Sequence, residues 1–133
     1  MKSAHLSVLV FTALSFGAGA QTQVPESFRG NWKAGWKQPG PDFVKQMEAK
    51  LALTDSGGTW SLIGYFPNSG HYPCDRLKTT VSVISASSDE VVLKVNASAA
   101  VNGCADSTLP LKRIGEKNIG GKLGDAELVF SKD

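Results

Sequence analysis

From Phe28 to the last residues, apolar and polar side chains alternate in short runs that stop at turn residues. A period of two belongs to strands with one buried face; a helix would scatter the same residues around its axis. Phe28, Gly30, Trp32, Ala34 and Trp36 share one face, and Arg29, Asn31, Lys33 and Lys37 share the other. Leu77 to Ser85 and Val91 to Val101 alternate in the same way, with the polar turn Ser87–Glu90 between them. Leu109, Leu111 and Arg113 alternate again, Pro110 marking an edge or a bulge. Gly124-Asp125 is a tight turn that sets Leu123 against Ala126, Gly121 against Leu128 and Ile119 against Phe130. This pattern predicts an all-β chain. Seven to eight short strands form an antiparallel meander, closed as a small up-and-down barrel or a compact sandwich and held by one disulfide.

One stretch reads two ways. In Asp42 to Thr54, Phe43, Val44, Met47 and Leu51 could form a helical stripe, while Met47, Ala49, Leu51 and Leu53 alternate. A hairpin with Asp55–Gly58 as its loop sets Leu53 opposite Trp60, Leu51 opposite Leu62, Ala49 opposite Gly64 and Met47 opposite Phe66. That match of apolar with apolar or small residues favours two strands. A short helical turn over 42–45 stays open.

The first twenty residues read as a secretory signal. Lys2 supplies the positive start, Leu6 to Phe16 the apolar core, and Ala18-Gly19-Ala20 the small residues before a mature start at Gln21. The expected organisation is a signal peptide over 1–20 and a single β domain over 21–133, exported to the periplasm or the extracellular space. Of 133 residues, the 20 of the leader leave 113, one domain with a modest core. Of the 14 basic residues, Lys2 leaves with the leader, so 13 face 12 acidic ones. The cations are scattered, with no run longer than Lys112-Arg113, which argues against nucleic acid as a partner. No stretch after the signal is apolar enough to span a bilayer.

Two cysteines, Cys74 and Cys104, form a disulfide by default in an oxidising compartment. A metal site would lack ligands: His5 belongs to the leader, which leaves His71 as the only mature histidine. No metal or cofactor is expected. A hairpin of the strands Leu77–Ser85 and Val91–Val101, paired with Val83 opposite Val95, carries outward to Cys74 opposite Cys104. The disulfide would then clip the open end of that hairpin.

Gly30-Asn-Trp32 at the start of the first strand resembles the Gly-x-Trp signature of the calycins, the group of lipocalins, avidins and their small relatives. The resemblance covers three residues and the meander order. It implies an eight-stranded barrel with Trp32 plugging one end. Small bacterial secreted protease inhibitors of calycin type share the export signal, an early Gly-x-Trp and one disulfide, although their cysteine spacing differs.

No catalytic constellation stands out. His71 has Ser69 and Asp75 close in sequence, but no Gly-x-Ser-x-Gly elbow accompanies them. Asp55, Asp89, Glu90, Asp106, Glu116 and Asp125 fall in or beside turns, where solvated carboxylates are usual. The best recognition element is the loop Pro67 to Pro73, with Asn68, Ser69, Gly70, His71 and Tyr72 between two prolines and Cys74 anchoring its far end. Restraint lowers the entropy lost on binding, and Tyr offers contact area with few rotamers. The first expectation is therefore a non-enzymatic protein that binds another protein of the envelope or secreted fraction, as an inhibitor or immunity factor. The second is a carrier of a small apolar molecule, its cavity lined by Trp32, Trp36, Trp60 and Phe66. The third is a carboxylate-dependent hydrolase.

Overall fold

The computed structural model describes residues 23–39, 44–65 and 73–133. They form eight strands: β1 (Gly30–Pro39), β2 (Val44–Leu53), β3 (Gly58–Tyr65), β4 (Arg76–Ala86), β5 (Glu90–Val95), β6 (Ser107–Arg113), β7 (Asn118–Leu123) and β8 (Ala126–Lys132). Each strand pairs antiparallel with the next, and β8 returns to β1, so the sheet closes into a barrel. The choice between barrel and sandwich is thereby made. The ambiguous stretch is strand from Val44 onward.

Alternation places the apolar set inside. Trp32, Met47, Leu51, Trp60, Leu93, Leu109, Leu111, Ile119 and Phe130 are all almost fully buried. An eight-stranded barrel is just wide enough for its own side chains to fill it. Two of the large rings meet in the interior, Trp60 and Phe130, edge to face at 6.2 Å and 62°. Gly121 makes room for them: a Cβ there would lie 3.0 Å from Leu111 Cδ2 and 3.2 Å from Phe130 Cε2.

The turn Gly124-Asp125 sets the predicted β7–β8 register, Leu123 with Ala126, Gly121 with Leu128 and Ile119 with Phe130. Two other registers differ from expectation by two residues. In β2–β3, Leu53 pairs with Gly58 and Leu51 with Trp60. The turn is tighter than the predicted four-residue loop, because the Thr54 N–H donates to the Gly57 carbonyl at 2.7 Å and Gly57 takes φ 147°. Gly58 then begins the strand so close to β2 that a Cβ on it would run into the Ala52 carbonyl oxygen. In β4–β5, Val81 rather than Val83 pairs with Val95. A bulge between Val83 and Ser85 moves the inward phase of β4 from Val81 to Ala86. The expected strand Val91–Val101 ends at Val95, and Ala97–Ala100 form one helical turn, α1.

The strand directions gather the connections into two rims. The starts of β1, β3, β5 and β7 share one rim with the 3₁₀ turn over Glu26–Phe28 and with Asp133. The opposite rim carries the connections after β1, β3, β5 and β7, including α1 and both cysteines.

Candidate functional site

The first rim is sealed. A 3₁₀ turn over Glu26–Phe28 folds across it and buries Phe28, with Val24 buried beside it. The Val24 N–H donates to the Asp55 carbonyl, and Arg29 Nε donates back to the Val24 carbonyl. Trp32 lies beneath, its indole N–H donating to the Phe28 carbonyl at 2.9 Å. Lys132, at the end of β8, holds its ammonium 4.4 Å from the centre of the Trp32 ring and donates to the Arg29 carbonyl at 2.6 Å. These contacts supply a reason for Gly30. Its φ is 116°, and a Cβ would lie 2.9 Å from Lys132 Nζ. Phe28 belongs to this turn, not to the strand, so the strand face begins with Gly30 and Trp32.

The second rim carries the candidate recognition site. Residues Asn68, Ser69, Gly70, His71 and Tyr72, with Phe66, lie outside the described residues. The chain immediately after them is firmly held. Pro73–Asp75 form a 3₁₀ turn leading into β4. Cys74 is bonded to Cys104, with a Cα–Cα distance of 5.5 Å. The bond therefore exists as predicted, but the ladder does not carry it: it ties the connection before β4 to the connection after α1. Asp75 is tied sideways to β2 by an ion pair with Lys45 Nζ at 2.9 Å, both side chains about four-fifths buried. No sequence signal announced that pair, because the two residues are thirty apart and meet only through barrel closure.

The other half of the staple is fixed by polar side chains. Thr79 Oγ1 donates to the Asn96 carbonyl at 2.7 Å, and Asn96 Nδ2 donates to Thr80 Oγ1 and Ser82 Oγ. Asn96 stands after β5 with its side-chain amide engaged on β4. Asp106 accepts from the Ser98 backbone N–H at 2.9 Å and the Ser98 hydroxyl at 2.8 Å, with Lys94 Nζ at 3.5 Å. The backbone N–H of Ser98, then its hydroxyl, hold the Asp106 carboxyl below the usual carboxylate range; desolvation opposes them, and Lys94 adds a lesser pull downward.

Of the candidate cavity residues, Trp32 and Trp60 are 1% and 2% exposed and are taken up in the packing described above. Trp36 points inward nearer the second rim and is partly buried; among the described residues its buried indole N–H has no acceptor. Among the described residues, no three His, Cys, Asp or Glu side chains cluster as metal ligands. No described helix is long and apolar enough to cross a membrane. Comparison with protein-family models, with curated proteins and with solved structures finds no match for this chain.

Proposed function

We propose that this chain is an exported, non-enzymatic binding protein of calycin-like build that engages another protein of the envelope or secreted fraction, as an inhibitor or immunity-type factor. The contact element is the loop Asn68–Tyr72. One observation supports this reading above the others: the chain leaving that loop is anchored twice, by the Cys74–Cys104 bond and by the Lys45–Asp75 ion pair. A loop tied down at its base loses less entropy when a partner orders it, so its contacts go further toward affinity. The calycin-like part rests on the sealed rim, where Gly30 and Trp32 meet the 3₁₀ turn, and on the eight-stranded meander.

The test is capture on immobilised mature protein from envelope and secreted fractions, with Tyr72→Ala in parallel. A protein retained by the wild type and lost with Tyr72→Ala, or on reduction of the disulfide, supports the reading. Equal retention by all three forms, or no retained protein, contradicts it.

A further inference from the structure

The two halves of the disulfide stand in different surroundings. Cys74 is exposed, in the middle of the 3₁₀ turn Pro73–Asp75, none of whose residues is buried. Cys104 is 4% exposed and belongs to the hydrophobic core. Its backbone is held from behind: Gly103 takes φ 93°, and the Cys104 N–H donates to the Val101 carbonyl at 3.1 Å. Thiol–disulfide exchange begins when a thiolate attacks one of the two sulfurs, and access decides which. Of this pair, only the Cys74 side is open to solvent. The chain around Cys74 also has a second anchor, the Asp75 carboxylate 2.9 Å from Lys45 Nζ. Opening the bond therefore leaves the two sulfurs close together, where they react as neighbours rather than as separate molecules.

We propose that the staple is a reversible thiol-exchange site entered at Cys74, opened by an external dithiol but not held open by a monothiol. A thiolate attacks Cys74 Sγ; a new S–S bond forms there as the Cys74–Cys104 bond breaks, and Cys104 leaves as a thiolate. Apolar surroundings disfavour that thiolate. It takes up a proton, or it attacks the Cys74 sulfur again and expels the reagent, so a monothiol is returned unchanged. A dithiol escapes this reversal. Its second thiol gives up a proton and attacks the reagent's own sulfur in the mixed disulfide, and Cys74 leaves as a thiolate that is protonated in turn. Two electrons pass to the protein, which ends with two thiols, and the reagent ends as a cyclic disulfide. A disulfide oxidant takes the two electrons back and closes the staple. The redox state of the surroundings thus acts through Cys74 on the connection that enters β4. Its consequence for partner binding rests on the reading of Asn68–Tyr72 as the contact loop; the exchange itself does not.

The test treats the mature oxidised protein with glutathione as monothiol and dithiothreitol as dithiol, quenches in acid and maps the cysteines by mass spectrometry. Glutathione should be found on Cys74, with Cys104 free, in about tenfold or greater excess over the reverse arrangement. At equal thiol concentration dithiothreitol should open about tenfold more of the protein. In the single-cysteine variants, with fold checked by amide exchange, Cys104→Ala should react with dithiodipyridine about tenfold faster or more than Cys74→Ala. Glutathione on Cys104, or on both cysteines equally, would overturn the proposal. So would equal opening by the two reagents, or equal rates in the two variants when both are folded. Reduction whose rate rises with denaturant in step with global unfolding would overturn it as well, because the bond would then open only in the unfolded chain. Glutathione on Cys74 with no protein retained in the capture experiment would contradict the loop reading alone. Glutathione on Cys104 with a partner retained through Tyr72 would contradict the exchange site alone.

Discussion

Lys132 joins the last strand to the first. Its ammonium caps the Trp32 ring and donates to the Arg29 carbonyl, so both the start of β1 and the 3₁₀ turn rest on it. Lys132→Met keeps much of the stem but removes the charge, and should lower stability by about 1 kcal/mol in denaturant titration. Glycine positions divide sharply. Gly58→Ala drives a methyl into the Ala52 backbone and should cost about 3 kcal/mol or prevent folding, whereas Gly35→Ala should change stability by less than about 1 kcal/mol. Asp106 gives a pH signature. Its folded carboxyl is more acidic than in the unfolded chain, so its contribution is complete above the ordinary carboxylate range and is lost as pH falls through the lower folded value. The stability gap between wild type and Asp106→Ala, measured by denaturant titration from pH 7 down to pH 2, should therefore be constant near neutrality and narrow in acid.

At the scale of elements, period-two alternation revealed which residues face inward but not which residues are opposite. A slip by one residue would turn every side chain over, and the pattern excludes it. A slip by two keeps every face, and both register errors were of that size. In β2–β3 the deciding fact is the Thr54–Gly57 hydrogen bond, a turn detail that alternation does not encode. In β4–β5 it is the bulge at Ile84 together with α1, where a run that alternates on paper leaves the sheet. The Gly124-Asp125 hairpin was legible because a two-residue turn leaves one register. The Cys74–Cys104 pair was legible from compartment and number, although the ladder invoked for it is absent. Its 30-residue loop should stabilise the oxidised protein by about 3–4 kcal/mol in the chain-entropy account. Thermal melts with and without reductant should separate by many degrees; superimposed curves would mean that the staple adds nothing.

At the scale of the whole molecule, closure was the least legible property, because it depends on a two-pair contact between the first and last strands. No local pattern reports such a contact, which is why barrel and sandwich stayed open. Closure also sets the charge pattern. Lys33, Glu48, Lys50, Lys78, Lys94, Lys112 and Glu127 all stand exposed on the outer wall, the inverse of a membrane-spanning barrel with its apolar outer band. One rim is plugged by Val24 and the Glu26–Phe28 turn, and the apolar interior of the barrel is filled. The proposed contact loop therefore belongs to the other rim.

Beyond its contribution to overall stability, the disulfide should order the second rim and, with it, the base of the proposed contact loop Asn68–Tyr72. Hydrogen exchange of the mature protein, oxidised against reduced, tests this most directly. At exchange times too short for global unfolding to contribute, reduction should speed exchange about tenfold or more in peptides covering 66–76 and 96–106, with those covering Val24–Leu53 little changed at the same times. Unchanged exchange at the rim, or equal acceleration along the whole chain, would contradict it.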